Sequence, residues 1–67
     1  MEENTDRYLN EHEVSKITGR AVQTLRNDRM NCRGFPYVKI GRSVRYSLND
    51  ILDFMEARKV IPYNSEE

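Results

Sequence analysis

Apolar residues near the start of this chain recur at the spacing of an amphipathic helix with a capped N-terminus. Asn10 suits the N-cap position, and Glu13 stands three residues later, where its side chain can reach back to the amide of Asn10. Leu9 and Val14 flank this capping box at the two positions of a hydrophobic staple. Val14 and Ile17 share the apolar face of the predicted helix.

A second short helix is predicted over about residues 21–30, after a turn at Gly19 that ends the first helix near Thr18. About three residues separate the two helices, which is the spacing of a helix-turn-helix. At about 100° per residue, the inward side of the second helix carries Ala21, Val22 and Leu25. The outward side carries Gln23, Asn27 and Met30, with Thr24 and Arg26 at its flanks. Amide, hydroxyl and guanidinium groups of this kind read base edges and bind phosphates.

Residues 37–46 alternate apolar and polar side chains at the spacing of two β-strands. Gly41 and Arg42 fit a two-residue turn with glycine at its first central position, so the segment is predicted to form a β-hairpin. The apolar side of the hairpin is expected to consist of Val38, Ile40, Val44 and Tyr46. The cations Lys39, Arg42 and Arg45 are then expected to point away from that side or to lie at the tip.

The last helix is predicted to begin after Ser47, an N-cap residue with Asp50 three positions later. Its apolar stripe consists of Leu48, Ile51, Leu52 and Met55, with Phe54 beside it. Residues 8–60 are thus predicted to form one domain between flexible tails over residues 1–7 and 61–67. The predicted fold is a small α+β winged helix-turn-helix: two helices, a two-stranded wing and a closing third helix.

Size and composition narrow the classes of function. A chain of 67 residues forms one small domain without room for a catalytic cleft and its scaffold. Cys32 and His12 cannot supply the four ligands of a structural zinc site, so we expect no metal and no cofactor. We find no nucleophile paired with a base, and therefore expect no enzymatic activity. The single cysteine, the acidic N-terminus and the absence of a long apolar run favour a cytoplasmic protein that does not enter membranes.

Positive charge is concentrated in the middle of the chain. Residues 16–45 carry eight cations and one acid, a net of +7, whereas residues 1–15 carry −4 and residues 46–67 carry −3. The clustering of cations has a simple alternative explanation. A third of the residues are charged, so the cluster could be part of an ordinary solvated surface. The cations fall on a helix and a hairpin, however, and that placement favours a polyanionic partner.

The order of these motifs resembles a known family. Thr24-Leu25-Arg26, Gly34-Phe35-Pro36 and the run Lys39-Ile40-Gly41-Arg42-Ser43-Val44-Arg45-Tyr46 resemble the small excisionase-like, MerR-type winged helix-turn-helix proteins, which include phage and plasmid excisionases and the AlpA-type prophage regulators. The likeness covers about residues 8–60. It departs from the family pattern at Ala21, which cannot cap a helix, and at Asp28, where a large apolar residue is common.

The resemblance implies a double-stranded DNA-binding module whose second helix enters the major groove and whose wing lies along the backbone or the minor groove. Gln23, Asn27 and Met30 match base-facing positions, Thr24 and Arg26 match positions that tend to hold phosphates, and Arg42 matches the wing tip. The full set of candidate DNA-binding residues is Arg20, Gln23, Thr24, Arg26, Asn27, Met30, Lys39, Arg42, Ser43 and Arg45.

The resemblance also implies partners and leaves alternatives open. An excisionase-like accessory factor of site-specific recombination would act with an integrase or recombinase, and with further copies of itself on adjacent DNA sites. A transcription regulator of a prophage or plasmid, without a recombination role, is the alternative. A protein-interaction module that does not bind DNA is the second alternative. We expect no small-molecule effector, because the chain is too short for a sensor domain.

Overall fold

The computed structural model describes residues 7–62, so the outer parts of both predicted tails lie outside the described residues. The described chain forms a small α+β, winged-helix-like fold with three helices and a three-stranded antiparallel sheet. In chain order the elements are β1 (Tyr8–Leu9), α1 (Glu11–Thr18), α2 (Val22–Met30), β2 (Val38–Ile40), β3 (Ser43–Ser47) and α3 (Leu48–Ala57). None of these helices has the length and apolar character needed to cross a bilayer.

The N-terminal strand β1 was not predicted. It pairs with β3, with Tyr8 opposite Ser47 and Leu9 opposite Tyr46, and the sheet order is β1-β3-β2. Arg7 extends this connection, because its carbonyl oxygen accepts a hydrogen bond of 2.7 Å from the amide of Leu48. The strand was missed for two reasons. Two residues are too few to show the alternation of a strand, and the strand with which they pair lies far away in the chain.

The predicted helix caps are present. Asn10 accepts from the amide of Glu13 and donates its own amide to the Glu13 carboxylate, both at 2.8 Å, which confirms the capping box. Gly19 ends α1 with a φ of +78°. Ser47 accepts from the amide of Asp50 at 3.2 Å. As expected, Ala21 makes no side-chain cap, and α2 begins at Val22.

The hydrophobic core lies where the three helices meet the sheet. It consists of Leu9, Val14, Leu25, Phe35, Tyr46 and Ile51. Phe54 packs on Phe35 with ring centroids 4.5 Å apart, and this contact holds α3 against the connection between α2 and β2. Both members of the predicted staple, Leu9 and Val14, are therefore buried in the core.

Three apolar residues predicted to lie on the buried faces of helices are between 40% and 49% exposed. Ile17 is 45% exposed, Leu52 49% and Met55 40%. In α3 the contact side instead follows Leu48, Ile51 and Phe54, since these residues pack within or against the core cluster. A domain this small has a small hydrophobic core. The core covers only part of the apolar face of α3, so some apolar residues of that helix stay exposed.

The hairpin has the predicted turn. Ile40 pairs with Ser43, so Gly41 and Arg42 form a two-residue connection, and Gly41 has a φ of +60°. A φ in this range suits glycine at the first central position, as expected for a turn that follows the twist of the strands.

The prediction that Lys39 points away from the apolar side is wrong. A two-residue turn pairs an even-numbered residue with an odd-numbered one, so Lys39 lies opposite Val44 and Val38 lies opposite Arg45. Opposite residues in an antiparallel pair share one face of the sheet. Lys39 is thus on the face of Val44, while Val38 lies with Arg45 on the other face and is 43% exposed.

Candidate nucleic-acid interface

Two adjacent clefts separate the hairpin from the helices. The larger, about 550 Å³, lies between α2 and the hairpin, and its lining includes Arg26, Met30, Tyr37, Lys39 and Arg42. The smaller, about 370 Å³, lies between the N-terminus of α1 and the hairpin, and its lining includes Glu11, His12, Arg42, Ser43 and Arg45. Arg26, Arg29, Arg42 and Val44 line both clefts, so the two form one continuous cationic surface.

The outward face of α2 is arranged as the sequence predicts. Gln23, Arg26, Asn27 and Met30 are exposed, and Thr24 is half-buried. The amide nitrogen of Gln23 donates to the side-chain oxygen of Asn27 at 3.1 Å. Met30 is 81% exposed at the C-terminal end of the helix, beside the larger cleft. This face therefore presents two ordered amides, a guanidinium group and an apolar tip to solvent.

The cations of the hairpin have few partners within the protein. Across residues 7–62, Lys39 and Arg42 make no ion pair, and both are exposed. Arg45 donates from Nη1 to the carbonyl oxygen of Val44 at 2.8 Å, which leaves its charge without a carboxylate partner in the same residues. Since no ion pair has to be broken, these three cations can meet an external anion at low cost.

Arg26 is held by an ion pair that the sequence did not reveal. Its Nε donates to both carboxylate oxygens of Glu11 at 3.2 Å, and its Nη2 donates to Oε2 at 2.5 Å. Arg29 shares the same carboxylate, with 3.2 Å between Nη2 and Oε1. Glu11 thus bridges two like charges that lie three residues apart on α2.

Arg29 ties this ion pair to the core. Its side chain is 17% exposed, and its Nη1 donates to the buried hydroxyl oxygen of Tyr46 at 2.5 Å. Its guanidinium carbon lies 5.9 Å from the ring centroid of Tyr37 and 6.0 Å from that of Tyr46. Burial opposes the charged form of Arg29, but its hydrogen bonds to Tyr46 and Glu11 and the charge of the Glu11 carboxylate outweigh burial and raise the pKa of the guanidinium group.

The same contacts control the ionisation of Glu11. The hydrogen bonds from Arg26 lower the pKa of Glu11 from 4.5 to about 2, against an opposing effect of burial and with further help from Arg29. In return, the hydrogen bond and charge of Glu11 raise the pKa of Arg26. Glu11 is therefore a carboxylate throughout the physiological pH range.

Arg20 is a candidate that lies in an ion pair away from the hairpin. Its Nη2 donates to Oδ2 of Asp28 at 3.1 Å, and Arg33 donates from Nε to Oδ1 of the same carboxylate at 3.2 Å. Asp28 is only 9% exposed, and with Arg20 and Arg33 it lines a separate cavity that also borders Gly34. Arg20 borders neither of the clefts beside the hairpin, and the candidates Gln23, Thr24 and Asn27 on α2 also lie outside their linings.

Asp28 is a buried acid with two cationic partners. The residue occupies an inward position of α2, where its two arginine partners satisfy the carboxylate. Gly34 passes so close that a Cβ atom added to it would lie 2.9 Å from Cβ of Asp28. Through these two ion pairs, Asp28 links the turn before α2, which contains Arg20, to the connection after α2, which contains Arg33.

Sequence reasoning missed Glu11 and Tyr37 as parts of the surface. Glu11 lies 15 residues from Arg26 in the chain, a separation that no helical or strand spacing encodes. The sequence does hold one signal for Glu11. Arg26 and Arg29 stand three residues apart on a short helix, and two like charges at that spacing repel each other unless an acid lies nearby.

Within residues 7–62, no group of three or more His, Cys, Asp or Glu side chains is arranged to hold a metal ion. In comparisons with known proteins, no family model, no curated protein and no solved structure matches this chain.

Proposed function

We propose that this protein binds double-stranded DNA, with α2 in the major groove and the hairpin along the backbone. One observation carries the proposal: Arg26 and Met30, on the exposed face of α2, border the same cleft as Lys39 and Arg42, which make no ion pair within residues 7–62. Helices that enter the major groove present amides to base edges, and cations beside them contact phosphates. The acid groups of α3 line neither cleft, so the anionic partner meets little repulsion there.

Within this proposal the two elements have different tasks. Gln23 and Asn27 form an ordered pair of amides, suited to bidentate recognition of a base edge. Lys39, Arg42 and Arg45 contact phosphates, set the register of α2 and supply most of the affinity. Met30 offers an apolar contact to a thymine methyl group at the end of the helix.

The length of α2 limits what a single copy can read. Nine helical residues span about 13 Å at 1.5 Å per residue, which corresponds to roughly four base pairs at 3.4 Å each. A site of this size recurs too often in a genome to specify one locus. We therefore propose that two or more copies bind adjacent sites, or that a second protein binds beside this one.

The family resemblance supplies the biological setting of the proposal. We propose an excisionase-like accessory factor of a phage or other mobile element, without enzymatic activity of its own, that acts on the DNA in the bacterial cytoplasm. An integrase or recombinase is then the expected partner on DNA. A transcription regulator of such an element would use the same surface, and a recombinase gene adjacent to this one would favour the first role.

The salt dependence of duplex binding tests the DNA proposal. If the protein neutralises Z phosphates, log K falls with log salt at a slope of about −0.9Z. Binding to a random-sequence duplex would be measured by fluorescence anisotropy over a series of salt concentrations. A flat response, or no binding to any duplex, would exclude DNA and favour a protein-interaction module.

Selection of bound duplexes from a random pool tests sequence specificity. We expect an enriched motif of about four base pairs per copy, from the length of α2. Footprinting on the selected duplex then counts the copies, as repeats of the motif. A pool that remains random after several rounds, with a salt-dependent affinity, would leave DNA binding intact but remove the role of α2 in reading bases.

A further inference from the structure

Arg26 lies on the proposed DNA-binding surface but does not present its most useful edge to a partner. An arginine has five N–H donors, and the edge formed by Nε and Nη2 matches the two oxygens of a carboxylate or phosphate. In this protein that edge is directed at Glu11. Only Nη1 and the second hydrogen of Nη2 are left for an external anion.

The Glu11 carboxylate is fixed more firmly than its partner. The Glu11 side chain is 18% exposed and also accepts from Arg29, which is anchored by its hydrogen bond to Tyr46. The Arg26 side chain is 48% exposed. When a phosphate approaches, Arg26 is therefore the group that can move, and Glu11 stays at the surface.

Glu11 is also the single carboxylate among the residues that line the two clefts, where the cations are Arg26, Arg29, Lys39, Arg42 and Arg45. A phosphate that takes the paired edge of Arg26 must displace Glu11 and leave its charge beside the DNA backbone. A phosphate that does not displace Glu11 meets an arginine whose charge is partly offset by that carboxylate, which Arg29 shares.

We propose that Glu11 is an internal counter-ion of the DNA-binding surface, which competes with a backbone phosphate for Arg26. This inference rests on the proposed function. Its consequence is that Arg26 contributes little to the sequence-independent affinity of the native protein. Glu11 thereby reduces the part of the binding free energy that depends on charge. The amides of α2 then contribute a larger fraction of the total binding free energy.

The substitution Glu11→Gln tests this role, with Asp53→Asn as its matched control. Both changes remove one negative charge, but Asp53 is an exposed residue of α3 that lines neither cleft. Binding to a random-sequence duplex would be measured from about 200 to about 50 mM salt. We expect Glu11→Gln to steepen the slope of log K by about 0.9, the value for one added phosphate contact.

With that change in slope, the ratio of the affinity of Glu11→Gln to the affinity of the native protein should be about 3.5-fold higher at the low-salt end of this range than at the high-salt end. Asp53→Asn should leave the slope unchanged, because screening over roughly 8–10 Å hides a remote charge from a bound phosphate. An unchanged slope for Glu11→Gln, or an equal change in both variants, would overturn the proposal.

Arg26→Gln provides a second test that leaves Glu11 in place. In the native background we expect this variant to change the slope by much less than 0.9, whereas in the Glu11→Gln background it should lower the slope by about 0.9. A loss of about 0.9 in the native protein itself would show that Arg26 already contacts a phosphate, and would overturn the counter-ion role. Far-ultraviolet circular dichroism confirms that each variant is folded at the temperature of the measurement.

The two proposals fail in different ways. If the native protein shows no salt-dependent duplex binding, the proposed function is wrong. If it binds with a clear salt slope, but Arg26→Gln removes the same contact with and without Glu11, only the role of Glu11 is wrong.

Discussion

Lys39 lies directly opposite Val44 in the hairpin, so both side chains share the face that borders α2. Val38 and Ile40 occupy the other face of the same strand and are 43% and 67% exposed. The hairpin therefore presents a cation toward the helix and apolar groups toward solvent. In the proposed DNA complex, a charge in this position can contact the same stretch of backbone as α2.

Replacement of Lys39 should weaken the charge-dependent part of DNA binding. We expect Lys39→Gln to lower the salt slope by about 0.9, since one phosphate contact is lost. Lys16→Gln is the control, because Lys16 is an exposed cation of α1 that lines neither cleft. Salt titrations of both variants with one duplex check this prediction, and equal slopes for the two would contradict the assigned face of Lys39.

The hairpin tip and the outward face of α2 should respond differently to truncation. Arg42→Ala is expected to weaken binding to all duplexes alike, because Arg42 borders both clefts and has no carboxylate partner in the described chain. Asn27→Ala is expected to change sequence preference by about 1–3 kcal/mol at one base pair. Binding to a panel of single-base variants of the selected duplex separates the two effects. Parallel losses across the panel for both variants would contradict the division of tasks.

Gly34 should tolerate a side chain less well than Gly19. Both have positive φ, +88° and +78°, so alanine at either position costs roughly 1–2 kcal/mol in backbone strain. At Gly34 the added Cβ would also lie 2.9 Å from Cβ of Asp28, whereas at Gly19 it meets nothing within 4 Å. We expect Gly34→Ala to reduce the free energy of unfolding by about 1–3 kcal/mol more than Gly19→Ala does. Urea denaturation of the two variants measures the difference, and equal losses would mean that the approach to Asp28 is relaxed at no cost.

Acid should weaken the fold through Glu11. The pKa of Glu11 falls from 4.5 to about 2 on folding, chiefly through the hydrogen bonds from Arg26. A lowered pKa in the folded state means that the stabilising contribution is complete above pH 4.5 and is lost as the pH falls through about 2. The upper limit is about 3.5 kcal/mol, at about 1.4 kcal/mol for each unit of pKa. Because the Arg26 side chain is 48% exposed, solvent screening reduces this figure.

Urea denaturation between pH 6 and pH 2 checks the prediction about acid. The difference in unfolding free energy between the native protein and Glu11→Gln should shrink as the pH falls from about 4.5 to about 2, and should be constant above pH 5. A difference that is independent of pH would contradict the assignment of the ion pair.

Local chemistry was predictable wherever its partners lie within a few residues of one another. Asn10 and Glu13 cap α1 across three residues, and Gly41 turns the hairpin across two. The polar face of α2 follows from the 3.6-residue period alone. The face of Lys39 was mispredicted although the turn was right, because register and alternation must be combined to decide which side of a hairpin a residue occupies.

Contacts between distant segments could not be predicted. Strand β1, the burial of Asp28 between two arginines and the bridge from Glu11 to Arg26 and Arg29 each join residues from different elements. The packing of the helices and the sheet brings these partners together, and the spacing of residue types along the chain does not predict that packing.

By itself the sequence determined the three helices, the caps of α1 and α3, the hairpin with its turn and the basic character of the middle segment, because these depend on neighbours along the chain. The tertiary structure alone decided which of the basic residues carry free charge. Arg20, Arg26, Arg29 and Arg33 lie against acids, while Lys39 and Arg42 have no such partner within residues 7–62. Ion pairing depends on distances of a few ångströms between side chains, and only the packed fold sets those distances.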